Sequence, residues 1–347
     1  MRNIKISNRL IGDNQPVFII AEVGINHSGN LKQALAMIDV AVKAGVDAVK
    51  FQAFKAKKMY SAKAGKLNYA SKTRSILDIV EEMEMPSDWP KILSDYCRKK
   101  KIIFFSSVCD EESTDLMDSF MPMYKITSYE MTHIPLLKYV AKKNKPILLS
   151  TGTATLKEVK KSVDAILSTG NKKLILLQCT GVYPAPLHTI NAKAIATMKE
   201  KFNLPVGLSD HSADPIIAPM VATALGANVI EKHITLSRDL PGPDQKMAIT
   251  PNELAMMVKK IKEVEVVLGT GKKTVHNEEK YVKEFARRSV YAIKHITKEE
   301  KFSKSNIAIL RSGEIKGYIK PVDYEKIIGK KSKRNIKINH AIKKVDY

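Results

Sequence analysis

The stretch PVGLSDHSADPIIAPMVATALGANVIEKH (205–233) holds the fold in miniature. Its first run, PVGLSD (205–210), is short and apolar. DPIIAPMVATALGA (214–227) then repeats apolar residues at helical spacing, and ANVIEKH (227–233) is a second short apolar run. Two near-continuous apolar strands joined by a helix describe parallel neighbours in a sheet covered on both faces. Polar residues gather at one end of each run: Ser209, Asp210 and His211 close the first, Glu231 and His233 the second. Glu231 and His233 stand two apart, on one face of their strand.

The same pattern recurs upstream. VFIIAE (17–22), DAVKFQ (47–52), KIIFFSS (101–107), PMYKITS (122–128), KPILLST (145–151) and KLILLQC (173–179) read as six further strands. Helical spacing lies between them in LKQALAMIDVAVKAG (31–45), PSDWPKILSDYCRKK (86–100), LLKYVAKKN (136–144) and TLKEVKKSVDAIL (155–167), and after the eighth strand in PNELAMMVKKIKEVEVVLG (251–269). Thr155 with Glu158, and Thr250 with Glu253, are capping-box signatures. Eight strand–helix units in about 250 residues predict an α/β TIM (β/α)8 barrel. A doubly wound sheet is disfavoured, because no GxGxxG follows the first strand. The barrel is expected over 1–275 and a polar linker over 276–287. The alternating SVYAIKHI, SNIAILRSG and SKRNIKINHAI predict a small β-rich domain over 288–347.

Net charge is +22, from 58 Lys and Arg against 36 Asp and Glu, which favours anionic partners. Residues 288–347 carry 16 of those cations and 6 of the anions. The aromatic content of 6% shows no basic–aromatic interleaving, so no nucleic-acid partner is expected. No apolar run approaches the ~18 residues of a membrane span, and the N-terminus has no signal-peptide core. Cys97, Cys109 and Cys179 have no metal or redox spacing and fit a cytoplasmic protein.

In a TIM barrel the chemistry lies at the C-terminal ends of the strands. There the sequence places Glu22, then Lys50 and Gln52, Ser107, Lys125 and Ser128, Ser150, Tyr183, Ser209 and Asp210, and finally His211 and His233. A lysine inside a buried strand must be paired or neutralised. Two of them beside several hydroxyls suit a phosphate or a phosphorylated carboxylate. Two histidines ending adjacent strands suit a divalent metal with an open coordination sphere. The turn LPGPDQKM (240–247) holds Asp244 over the strand ends, where a carboxylate can bond sugar hydroxyls.

FIIAEVGINHSG, AVKFQ, YKITSYE, LLSTGTATL, CTGVYPAP, GLSDHS, ALGANVIEKHITL and PGPDQ together resemble the sialic acid synthase family, which condenses phosphoenolpyruvate with N-acylated mannose-type sugars. The tail resembles that family's antifreeze-like (SAF) domain. The resemblance implies that Lys50, Ser107, Lys125, Ser128, Ser150 and Ser209 hold phosphoenolpyruvate. It implies that His211 and His233 bind a divalent metal, Mn2+, and that Glu22, Gln52, Tyr183 and Asp244 face the sugar. Arg311 would be lent to the partner's active site in a homodimer with swapped SAF domains. Glu22 and Asp210 are candidates for proton handling. The expected product is N-acetylneuraminate from N-acetylmannosamine, or a legionaminate-type acid from a 2,4-diacetamido-2,4,6-trideoxy-mannose acceptor. The chain departs from the family pattern at Gln178, at Gly181, at Ser107 where Thr is frequent, and at RSG (311–313).

Overall fold

The computed structural model describes residues 3–61, 63–65, 75–311 and 317–347. All eight expected strands form: β3 (Phe18–Gly24), β4 (Ala48–Ala53), β5 (Ile103–Val108), β6 (Tyr124–Ile126), β7 (Ile147–Ser150), β8 (Leu174–Cys179), β9 (Val206–Asp210) and β10 (Val229–His233). They pair in parallel and in sequence order, and β10 closes on β3 to make a barrel. Their near-total burial explains the continuous apolar runs, since one face meets the barrel interior and the other the helices. At the inward position 207 only glycine fits; a Cβ there would lie 2.3 Å from the Val229 carbonyl oxygen.

The expected helices appear as Leu31–Ala44, Trp89–Lys100, Ile134–Lys142, Leu156–Leu167, Ile217–Ala224 and Pro251–Leu268. The first starts on an Asn30 cap and ends at Gly45 in the left-handed region, where glycine costs least. Leu156–Leu167 carries the Thr155–Glu158 capping box. Two further helices complete the set, Glu111–Asp118 and Ala194–Phe202. Their apolar stripes are short, so spacing alone understates them. Asp110 secures the first by accepting from Ser113 N at 2.8 Å.

A short antiparallel hairpin, β1 (Ile4–Ile6) with β2 (Arg9–Ile11), precedes the barrel and was not anticipated. Its Ile4, Ile6 and Ile11 join the main core. Arg9 pairs with Asp47 at 2.8 Å, just before β4, so the hairpin meets the N-terminal ends of the strands, away from the candidate site.

The chain divides into Met1–Gly269 and Thr270–Tyr347. The break therefore precedes the expected one at 275. The expected linker 276–287 is instead largely helical, with a 3-10 turn at Asn277–Glu279 and a helix at Lys280–Ala286. In the second unit β11 (Arg288–Ala292) pairs antiparallel with β12 (Ile307–Arg311). Isolated bridges such as Ile296–Ile336 and Tyr318–Lys343 extend this β-rich pattern. Its core is Val290, Ile296, Phe302, Ile307, Ile319, Ile327, Ile336 and Ile342. Among the described residues, no helix is long and apolar enough to cross a membrane.

Candidate active site

Strand register builds the site. Paired residues on parallel neighbours share a face, and successive residues alternate. Glu22 pairs with Lys50 and with His233, Gln52 with Ser107, Ser107 with Lys125, and Cys179 and Glu231 with Ser209. Ser150 lies two beyond Leu148, the partner of Lys125. These residues therefore line the inside of the barrel at the C-terminal ends of its strands.

Their side chains form one buried polar cluster. Lys50 Nζ lies 2.7 Å from Glu22 Oε1 and 4.0 Å from Glu231 Oε1, and Lys125 Nζ lies 3.2 Å from Glu231 Oε1. Ser209 donates to Glu231 Oε1 at 2.8 Å, and Gln52 Nε2 donates to Glu22 Oε1 at 2.9 Å. Gly152 N donates to Ser128 Oγ at 2.9 Å, which leaves the Ser128 hydrogen for another acceptor. Glu231 sits at the centre of these contacts. Its place beside His233 on one face was visible in the sequence, but spacing gave it no role; the register that brings it to both lysines is long-range.

Electrostatics follow from burial. Desolvation pushes the Glu22 carboxyl up to about 7, against the pull of Lys50. Burial also opposes charge on Glu231, but Lys125 and Lys50 outweigh it and hold that carboxyl below its usual range. The Lys50 ammonium is raised, because Glu22 and Glu231 overcome its desolvation. Desolvation likewise raises Asp244 to about 6.

Beside this cluster, the His211 and His233 rings stand 5.5 Å apart. His211 Nδ1 is held by the Thr180 carbonyl at 2.7 Å, and its Nε2 meets the Tyr183 hydroxyl at 3.2 Å. His233 Nδ1 is buried with no hydrogen-bond partner; Asp244 Oδ2 lies 3.6 Å away. Burial, then the charges of His211 and the lysines, keep His233 neutral. A neutral imidazole with an unused lone pair, next to one whose other nitrogen is fixed by a carbonyl, fits two ligands of a divalent metal. Among the described residues no group of three or more His, Cys, Asp or Glu is arranged to hold a metal.

Several buried polar atoms of the cluster have no hydrogen-bond partner in the protein: Ser107 Oγ, Ser150 Oγ, Glu22 Oε2 and Glu231 Oε2. Each such atom costs about 1–3 kcal/mol. Above them opens a cavity of 140 Å³, lined by Gln52, Tyr183, His233 and Asp244 on one side. Phe54, Met59, Ile79, Val80 and Met83 supply apolar lining, and Tyr60, Thr127, Tyr129 and Glu130 are among its polar residues.

One candidate falls outside. Asp210 alternates to the outer face of β9, where its carboxylate binds Lys232 Nζ at 2.6 Å and accepts from Ser212 N at 2.8 Å. From there it cannot move a substrate proton, contrary to the catalytic role expected from the sequence. The alternation itself was the missed signal: if Ser209 and His233 face inward, Asp210 and Lys232 face outward. Gln178 also points outward and donates to the Ile190 carbonyl at 3.0 Å, so that departure does not reach the site. Gly181 packs on Thr153, whose methyl would lie 2.6 Å from an added Cβ. Arg311 belongs to the second unit, exposed at the end of β12 and opposite Arg288. The Ser312 departure lies outside the described residues.

A closed (β/α)8 barrel with buried lysines, carboxylates and paired histidines at its mouth defines a class of enzymes that hold small anionic substrates. Residues 37–273 match the NeuB family, and the chain belongs to it. It is 43% identical over 330 residues to the spore coat polysaccharide biosynthesis protein SpsE of Bacillus subtilis, covering 90% of this chain and 88% of that one. The crystal structure of that protein superposes with a TM-score of 0.69 over 99% of both chains. The N,N'-diacetyllegionaminic acid synthase of Campylobacter jejuni is 40% identical, covering 94% and 98%. The N-acetylneuraminic acid synthetase of Leptospira borgpetersenii, in complex with citrate, is 34% identical with a TM-score of 0.74, covering 81% and 95%.

Proposed function

We propose that this chain is a nonulosonic acid synthase that joins phosphoenolpyruvate to an open-chain, N-acylated mannose-type sugar and releases phosphate. One observation carries the reading: buried Lys50 and Lys125 stand among orphaned serine hydroxyls, an arrangement that stabilises the protein poorly and a bound anion well. Lys50 and Lys125 bind the phosphate and carboxylate, and Ser107, Ser128, Ser150 and Ser209 add hydroxyl contacts. His211 and His233 would hold a divalent metal, with Mn2+ as the expected ion; bound there, it supplies Lewis-acid polarisation to the sugar aldehyde. Gln52, Tyr183 and Asp244 orient the sugar.

In the reaction the methylene carbon of phosphoenolpyruvate bonds to the aldehyde carbon, whose oxygen becomes a hydroxyl. Water adds to C2, and the C2–O bond to phosphate breaks. Glu22, whose carboxyl burial raises to about 7, is the group that moves a proton to or from these oxygens.

The acceptor has two readings. N-acetylmannosamine would give N-acetylneuraminate. The apolar lining residues Phe54, Met59, Ile79, Val80 and Met83 favour the second, a 2,4-diacetamido-2,4,6-trideoxy sugar, whose 6-deoxy methyl and second acetyl methyl are apolar. The identity to the legionaminic acid synthase supports it too. The test is phosphate release from phosphoenolpyruvate with Mn2+ and each sugar in turn, with the product mass determined. Release with neither sugar, in metal-loaded protein, sinks the reading.

We further propose that the second unit is an SAF-type domain and that the enzyme is a homodimer in which each subunit's Arg311 serves its mate. Removing residues 288–347 should leave a folded barrel with turnover reduced at least ~100-fold, as expected for loss of a charged contact in a desolvated site. Full activity of the truncated chain would refute it.

A further inference from the structure

On the outer face of the strand ends lies a second buried ion pair, which the proposed chemistry does not use. Lys232 and Asp210 are each about 1% exposed and pair across β10 and β9. Lys232 immediately precedes His233, and Asp210 immediately precedes His211. The Lys232 ammonium binds Asp210 Oδ2 at 2.6 Å, the Ser212 carbonyl, Ser212 Oγ at 3.1 Å and the Asp214 carbonyl at 2.9 Å. Asp210 in turn accepts from Ser212 N at 2.8 Å and Ser212 Oγ at 3.0 Å. A single ammonium on the strand carrying His233 thus grips the chain on both sides of His211.

We propose that Lys232 and Asp210 are positioning residues that fix the separation and aim of His211 and His233 for a divalent cation. This rests on the metal-ligand reading given above. Two physical arguments carry it. Elsewhere on the outer face, comparable positions hold apolar residues such as Leu149 and Leu176, which are fully buried and pack without a desolvation cost. A buried ion pair is rarely better for stability than apolar residues of the same volume, so its return must lie in geometry. Moreover, β9 ends at Asp210, and His211 is already off the ladder. Beyond the ladder, the backbone around His211 is held on one side by Ala185 N and on the other by the Lys232 ammonium. The ring of His211 is pinned by the Thr180 carbonyl and the residue's own carbonyl accepts from Ala185 N at 2.9 Å, while Lys232 holds the Ser212 and Asp214 carbonyls that follow it.

The test uses the full-length protein and Mn2+ as probe. The double variant Asp210→Leu with Lys232→Met replaces the pair by apolar side chains. Its melting temperature in chelator should stay at or above the parent's. Its Mn2+ affinity by calorimetry should fall about 10- to 100-fold, the size of effect seen when support behind a metal ligand is removed. The kcat should fall while the KM for phosphoenolpyruvate, bound through the lysines, stays within about twofold. Should the double variant fail to fold, Asp210→Asn keeps the shape and should still weaken Mn2+ by about tenfold. Parent-like Mn2+ affinity in either folded variant, while a His211→Ala control has lost the ion, overturns the positioning role alone. If His211→Ala also binds Mn2+ like the parent, the metal reading fails and the positioning role with it.

Discussion

Besides the Lys125–Glu231 contact at 3.2 Å, the barrel holds two buried lysine–carboxylate pairs of almost equal length, and they differ in what surrounds them. Inside the mouth, Lys50 and Glu22 stand 2.7 Å apart, and Glu22 Oε2 has no partner. Outside, Lys232 and Asp210 stand 2.6 Å apart, and Ser212 and Asp214 complete their hydrogen bonds. A fully satisfied network rigidifies its neighbourhood, whereas a partly satisfied one keeps capacity for a guest. The difference separates a pair whose hydrogen bonds are complete from one that keeps an unpartnered oxygen and, in the proposed reading, meets substrate.

That contrast can be broken by removing each ammonium. Lys50→Met should lower turnover by on the order of a thousandfold, because a desolvated cation on a charged substrate is lost. Its stability should drop by only about 1 kcal/mol, since Glu22, already raised to about 7, takes up a proton. Lys232→Met should do the reverse to stability, costing about 3–5 kcal/mol in urea unfolding by stranding Asp210. Equal stability losses in the two variants would erase the distinction.

A pH titration sharpens it with a buried group that has no charged partner. His27 packs between Phe51 and Trp89, accepts from Gly29 N at 3.1 Å, and leaves Nε2 unpartnered. Burial lowers its pKa from 6.5 to about 4. Below 6.5 the unfolded chain binds a proton that the folded protein refuses. Stability present above pH 6.5 is therefore lost as pH falls toward 4. The loss should be about 2 kcal/mol between pH 7 and pH 5, and His27→Gln should abolish this part of the slope.

The smallest effect is expected at Ser150. Its hydroxyl is buried without a partner, so Ser150→Ala should leave unfolding free energy unchanged or raise it by up to about 1 kcal/mol. The KM for phosphoenolpyruvate should rise by about tenfold, the worth of one hydrogen bond to a charged group. A destabilised variant with normal KM would make the hydroxyl a structural group.

Much of this was legible in the chain itself. Apolar runs at regular intervals determined eight strands and their parallel order, because burial on both faces leaves few other solutions. The residues at their ends, Lys50, Lys125, His211 and His233 among them, were visible as candidates, and the structure brings them together at one end of the barrel. The N-terminal hairpin was not legible, since three-residue strands carry too little periodicity. Nor were the helix at Lys280–Ala286, where charge masked the pattern, or the central place of Glu231. Tertiary structure alone decided which carboxylate faces which lysine. Position along one strand fixes only the alternation of side chains, whereas contacts between strands depend on register set by the closed sheet. Hence Asp210, one residue from Ser209 and from His211, lies on the opposite side of the barrel wall from the proposed chemistry and is locked to Lys232.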